Sequence, residues 1–325
     1  MIQSSPTATG RQPLYAYLLA ALVMIGLSYG LPLLLPGDYI EAVYGSSHVV
    51  LDAEQEAQLR DELGDREGFT AYLWGLVTLD WGHSLALQTP VFRLVLAALP
   101  WTLLLLGTAH LLALALGFIA GVEAAWRRGG RLEKAGVGGA TILQGVPEIG
   151  SGAPLLLLFA YHLGWFPAGG ATTAYAELSG GPWLLDLLHH LALPLLTLVL
   201  AYLPGNFLLT RAGMVMILGS NYLETARAKG LPPLRVRYVH AARNALLPVL
   251  TRFGLRLAFM VTGALVVETI FAYPGLGTLL FTAIGSRDLP VIQAVVLLAA
   301  LLILAINLGL ALLHRRLDPR IGHAL

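Results

Sequence analysis

Between Asp288 and His314 the chain runs through residues 289–313 without one charged side chain. A helix over those residues would extend about 37 Å at about 1.5 Å per residue, enough to cross a hydrocarbon core about 30 Å thick. Five more stretches of similar character occur, at about 13–36, 99–122, 137–163, 187–210 and 246–270. Only 12% of the residues are charged against 57% hydrophobic, too few to coat a water-soluble body of this size. Hydrocarbon offers no partner to a backbone N–H or C=O, so a spanning chain must be helical or a closed barrel. No period-two alternation supports a barrel. The expected fold is an all-α integral membrane protein with six transmembrane helices. The first run, opening after Arg11, is too long for a signal h-region and lacks a clean small-x-small cleavage site, so it reads as a retained anchor.

Orientation follows from lysine and arginine. With the N-terminus (1–12), 123–136, 211–245 and the C-terminal tail placed in the cytoplasm, only Arg60, Arg66, Arg93 and Arg287 of the 20 basic residues fall outside. The 37–98 segment is acidic, and the six tryptophans (74, 81, 101, 126, 165, 183) lie near span ends or in outer segments, as an interfacial belt requires. Both termini are therefore expected inside, in a multi-pass protein of the inner or plasma membrane. The domain reading is a cytoplasmic N-terminus 1–12, a first span 13–36, an extracytoplasmic segment 37–98, a transmembrane core 99–321 and a tail 322–325. Within 37–98, "DAEQEAQLRDELGDREG" reads as an acidic helix and "FTAYLWGLVTL" as an interfacial one. Together they form either a solvated cap or a docking surface for an external partner.

Several chemistries lack their residues. There is no G-x-x-x-x-G-K-[ST] phosphate loop, no H-E-x-x-H, no G-x-S-x-G and no cysteine. No catalytic site, resident metal or cofactor is expected, and nothing points to nucleic acid. His189-His190 is an adjacent pair, and neighbours on a helix point about 100° apart and chelate poorly, so packing or interfacial roles are favoured for it and for His110 and His162.

The most informative polar stretch is "NYLETARAKGLPPLRVRYVHAARNALLP", residues 221–248. Asn221 as N-cap with Glu224 at the third helical position fits a capping box. Gly230 suits a left-handed helix terminus, and Pro232-Pro233 suits the opening of a second helix carrying Arg235, Arg237 and Arg243. Small residues Ala226 and Ala228 beside Gly230 would let another protein's backbone approach. A basic loop resting on anionic headgroups is the plainer alternative, but it needs charge and no capped, twice-broken helix pair.

At these residues the chain resembles the permease subunits of ATP-binding-cassette importers. Glu224-Thr225-Ala226 followed by Gly230 is similar to their "EAA" loop, and His240 to Pro248 resembles the version found in the dipeptide/oligopeptide/nickel family. In the order of that family's first permease subunit follow Pro36-Gly37-Asp38, Asp80-Trp81-Gly82-His83-Ser84 (similar to G-D-x-G-x-S), Leu99 to Leu103 and Gly164 to Gly170. Val267-Glu268-Thr269-Ile270-Phe271, Pro274-Gly275-Leu276-Gly277 and Leu317-Asp318-Pro319-Arg320 complete the likeness, over roughly 13–321.

The resemblance implies a type I importer permease forming half of a translocation pore in the bilayer. It also implies a second homologous permease, two cytoplasmic ATPases that bind ATP and Mg, and an extracytoplasmic solute-binding protein. The 220–245 loop would couple to the ATPases through Glu224, Thr225, Ala226, Arg227, Lys229 and Gly230. Di- or oligopeptides are the expected solutes; nickel, opines or another small solute are alternatives within the same machinery. A stand-alone secondary transporter or receptor-like protein is the competing class, and it would have no need of an ATPase-docking element.

Intramembrane charges mark where specificity would reside. Arg252 and Arg256 lie one turn apart in the fifth span, and Glu148 follows Pro147 near the centre of the third, where this family tends to be neutral. Glu148 and Arg256 would face the pore, pairing with each other or contacting a zwitterionic peptide. Glu268, in the family's V-E-T pattern, would brace the outer loop or contact substrate.

Overall fold

The computed structural model describes residues 12–34, 68–246, 249–250 and 264–317. Arg252, Arg256, most of the fifth apolar run, residues 37–67, the Pro36-Gly37-Asp38 and Leu317-Asp318-Pro319-Arg320 motifs beyond Leu317, and the tail 322–325 lie outside them. Among the described residues the fold is helical, with one isolated backbone bridge between His83 and Pro90. Among the described residues three helices are long and apolar enough to cross a membrane, and a bent helix pair supplies a fourth candidate.

In chain order the helices are α1 (Gln12–Leu33), α2 (Phe69–Thr78), α3 (Val91–Trp126), α4 (Arg131–Gln144) and α5 (Glu148–His162). They continue with α6 (Gly181–Leu218), α7 (Asn221–Ala228) and α8, which opens at Pro233–Arg235 and runs on as π-helical turns over Val236–Ala242. Residues 264–270 form α9, followed by α10 (Leu276–Gly285) and α11 (Leu289–Leu317).

Hydropathy locates α3 and α6 but understates them. Sequence assigns apolar runs at 99–122 and 187–210, whereas the helices hold 36 and 38 residues. At about 1.5 Å per residue they reach about 54 and 57 Å, well beyond the hydrocarbon thickness. Hydropathy marks only the apolar middle, while helical hydrogen bonding continues into the polar zones at each end. Those projecting ends carry the charges used below.

The third run departs further from expectation. In place of one helix over 137–163 there are α4 and α5, bent by 98° at the break. Val146 precedes a proline and is steered from the helical region, so α4 stops at Gln144, and Pro147 is extended (φ −67°, ψ 160°) where α5 begins. Glu148 is thus the first residue of α5, beside a corner, rather than a mid-helix charge.

The chain divides into two compact units, Met1–Pro100 with Thr278–Leu325, and Trp101–Gly277. In the first, α1 packs along α11, and Gln293 donates to the Tyr29 carbonyl at 3.2 Å. Helix α2 joins α1 through the hydrogen bond between buried Ser28 and Tyr72 (2.8 Å) and the rings of Tyr29, Phe69 and Tyr72. Before α3, the Asp80-Trp81-Gly82-His83-Ser84 motif makes a tight loop whose Ser84 hydroxyl donates to Asp288 Oδ2 at 2.5 Å, both groups being buried. Ala86 N donates to the same oxygen at 3.1 Å, and Leu87 N to Ser84 Oγ at 2.9 Å. The loop is therefore latched to the residue preceding α11.

In the second unit α6 is the central helix, packed by α4, α5 and α8. One apolar cluster joins Leu105, Ala109, Leu198, Tyr202, Val267, Phe271 and Tyr273. A second, at the other end of α6, joins Val122, Met214, Leu223, Val236 and Ala245. Buried Thr197 and Thr210 donate to carbonyls one turn back, which lets hydroxyls sit inside a packed helix.

The latch has a measurable consequence. Ser84→Ala removes a buried hydrogen bond to the Asp288 carboxyl group and should destabilise the first unit by about 1–2 kcal/mol, read as a lower thermal unfolding midpoint in detergent micelles. Ser84→Thr, which keeps the donor, should lose less.

Candidate functional site

Helices α7 and α8 fold back on one another to form the polar end of the second unit. Gly230 has φ +71°, a conformation that costs a residue with a Cβ about 1–2 kcal/mol, and it reverses the chain after Lys229. Pro232 is extended and Pro233 opens α8, as their order in the sequence suggests. The expected capping box is absent. Ser220, not Asn221, is the N-cap, and its hydroxyl donates back to the Ile217 carbonyl at 2.6 Å instead of capping α7. The boundary moves by one residue because two adjacent side chains are both competent caps.

The pair has two faces. Leu223, Ala226, Val236, Ala241 and Ala242 are buried against Val122, Ala125 and Met214. Glu224, Thr225, Arg227, Ala228, Lys229 and Gly230 are exposed, joined by the exposed apolar residues Tyr222, Leu234 and Val239. Ala226 is thereby corrected: only 6% exposed, it packs inward and presents nothing to a partner. Ala228 is the small residue on the open face.

Polar grips hold the inner face in place. Glu123, in the last turn of α3, accepts from Arg237 Nη1 at 2.5 Å and from the Tyr238 hydroxyl at 2.7 Å, both on Oε1. Its Oε2 lies 3.4 Å from Arg127. Burial first, and the Glu123 hydrogen bond second, push the Tyr238 phenol above its ordinary pKa. The Trp126 ring lies under both the Arg237 guanidinium (4.8 Å) and that of Arg227 (5.7 Å). Nearby, buried Glu133 of α4 pairs with Arg211 of α6 and accepts from Gly129 N at 2.8 Å. Trp126 at the end of α3 is also a stacking platform for two arginines.

At the opposite end of the same unit Glu268 is fully buried. Its Oε1 accepts from Thr102 (2.7 Å) and its Oε2 from Gly277 N (2.6 Å), while Leu276 N donates to the Thr102 hydroxyl at 2.8 Å. A Cβ at Gly275 or Gly277 would collide with the carboxylate, which accounts for the Pro274-Gly275-Leu276-Gly277 spacing. Tyr273, edge-on to Trp101 at 6.0 Å, has its phenol pushed upward by burial and then by the Glu268 charge.

Glu148 is half-buried at the α4–α5 corner, with Ser151 donating to its carbonyl at 3.1 Å. Its expected companion Arg256 lies outside the described residues. Of the histidines, His190 bonds the Asp186 carbonyl (2.9 Å), His189 the Trp165 carbonyl (2.8 Å) and His110 the Leu106 carbonyl (2.8 Å).

Apolar membrane-length helices, with a polar helix pair packed on one face and exposed on the other, define a multi-pass membrane protein. Residues 113–323 match the family described as binding-protein-dependent transport system inner membrane component, and the chain belongs to that family. It is similar to the di/tripeptide transport system permease protein DppB of Pseudomonas aeruginosa, at 35% identity over 91% of this chain and 93% of that one. Similarity to the oligopeptide transport system permease protein AppB of Bacillus subtilis is 38% over 78% of this chain and 80% of that one. The dipeptide transport system permease protein DppB of Escherichia coli K12 shares 35% over 89% and 91%. The protein is a multi-pass inner-membrane transport component.

Glu268→Gln turns one oxygen of the buried cluster into a donor facing Thr102 or Gly277 N. A loss of about 2 kcal/mol in stability is expected, measured by thermal unfolding of the purified chain.

Proposed function

We propose that this chain forms half of the translocation pore of an ATP-binding-cassette importer for di- or oligopeptides. It would work with a second homologous permease, two cytoplasmic ATPases and an extracytoplasmic solute-binding protein. Its six spans would be α1, α3, the α4–α5 pair, α6, the run ending in α9, and α11, with both termini in the cytoplasm. Basic residues crowd the Glu123–Lys134 and Arg211–Arg243 stretches, which supports this orientation. Peptide is favoured as the solute because the relatives named above carry peptide transport in their names.

The observation that carries the reading is the two-faced α7–α8 pair. A membrane loop held only by headgroups has no reason to be locked on one side by an ion pair, a stacked tryptophan and an apolar cluster. A part that must transmit force does. Its open face (Glu224, Thr225, Arg227, Ala228, Lys229, Gly230, with Leu234 and Val239 as apolar knobs) would seat in a groove of an ATPase, which supplies the hydrolysis that this chain has no phosphate loop to perform. ATP-driven closure of the ATPases would then shift the spans between outward- and inward-open states through contacts that differ between the two. Glu148, Arg252 and Arg256 would line the path, and Glu268 would brace its outer rim.

Gly230→Val places a β-branched residue at φ +71° between the two helices. In proteoliposomes holding the full complex, ATP-dependent uptake of labelled dialanine or trialanine should fall at least about tenfold while the amount of membrane-inserted chain is unchanged. Uptake at the unsubstituted rate would contradict the coupling role.

A further inference from the structure

The α7–α8 pair is joined covalently to α6 and to the run that follows it, but not to α3. Whatever moves α3 with the pair must act through noncovalent contact. Beside the close packing of Gly117 and Gly121 on α6, two kinds join α3 to the pair directly. The apolar packing of Val122 and Ala125 against Leu223, Val236 and Ala241 is non-directional and permits sliding. The contact at Glu123 does not: one oxygen, Oε1, receives Arg237 at 2.5 Å and Tyr238 at 2.7 Å, a charge-assisted grip of fixed register.

Local structure explains how two consecutive residues reach one atom. Both sit in the π-helical turns Val236–Ala242, where i→i+5 bonding brings neighbours to about 80° apart around the axis, against about 100° in an α-helix. Trp126, three residues beyond Glu123, stacks on Arg237 and also meets Arg227 of α7, so the last turn of α3 touches both helices of the pair. The Arg237 side chain is only 13% exposed, which limits competition from water.

We infer that Glu123 is a positioning residue that, gripping Arg237 and Tyr238, makes α3 move with the coupling helices when nucleotide is bound. The grip converts a loop attached to α6 into a lever attached to two spans. This rests on the coupling role proposed above and adds a route that the role does not require. Glu133 with Arg211 ties α4 to α6 in the same manner and is a passive strut in this scheme.

The chain has no cysteine, so an introduced cysteine is the single thiol labelling site on it, and the chain can be labelled before assembly with its partners. Ile119→Cys reports on α3 and Met216→Cys on α6, both exposed positions. In the complete complex in lipid, ATP should change the electron paramagnetic resonance line shape of both labels. Arg237→Met with Tyr238→Phe removes both donors yet leaves Glu123 beside Arg127; the response at Ile119→Cys should fall at least about twofold while that at Met216→Cys persists. Glu123→Arg with Arg237→Glu should restore the α3 response, which mere loss of packing would not allow.

An unchanged α3 response in the double variant would overturn the inference, as would equal loss of both responses with the ATPases still co-purifying. Should that variant not assemble, Glu123→Gln serves the same comparison. Silence of both labels in the unsubstituted complex would instead count against the coupling role itself.

Discussion

Hydrocarbon tolerates neither an unpaired backbone group nor an unpaired charge, and the rest of this structure follows from that constraint. Every described span candidate is helical because a helix meets its own hydrogen bonds. Buried hydroxyls on α6 turn back onto their own helix, and the buried histidines His110 and His190 each find a carbonyl one turn away. The described ion pairs of α3, α4 and α6 lie toward helix ends, where α3 and α6 outrun the thickness of the core. Glu268 is the instructive case. It is buried, yet its carboxylate is wrapped by Thr102 and the Gly277 amide in a turn whose glycines leave it room.

The same constraint shapes the polar end of the second unit. Beyond α6 the chain folds back on itself between α7 and α8, and Gly230 with Pro232-Pro233 performs that reversal in a few residues. The result is rigid because one face is packed and pinned, so the other face is held in a defined orientation. Charges there are not simply scattered toward headgroups. Arg237 is committed inward, and Arg227 is shared between Trp126 and the open face. What remains outward is a mixture of Glu224, Lys229, Arg235, Arg243, small residues and the apolar Leu234 and Val239.

Much of this was legible in the sequence, and the exceptions have physical reasons. The cores of α3, α6 and α11 were plain because hydropathy reports the transfer of side chains into hydrocarbon directly. The left-handed Gly230 and the helix start at Pro233 were legible because backbone preference at glycine and proline is local. The 98° corner between α4 and α5 was signalled by Gly145 and Pro147, but summed hydropathy carries no direction and a bent apolar stretch scores like a straight one. Ala226 was assigned the wrong face because small size says nothing about which side a residue occupies. The grips at Glu123, Asp288 and Glu133 join residues 78 to 204 positions apart, and no local pattern encodes such a partner. Glu268 was recognised as a position, but its two donors became visible only in three dimensions.

The two-faced helix pair is the centre of the account, and thiol cross-linking tests it most directly. Single cysteines at Ala228 and Lys229, on the open face, and at Leu223 and Ala226, on the packed face, would be placed in the otherwise cysteine-free chain. Each would be treated with a short bifunctional reagent in the intact complex. Cross-links to the ATPase from Ala228→Cys and Lys229→Cys, and none from Leu223→Cys or Ala226→Cys, are predicted. Cross-links from both faces alike, or none from the open face in a complex that hydrolyses ATP, would contradict it.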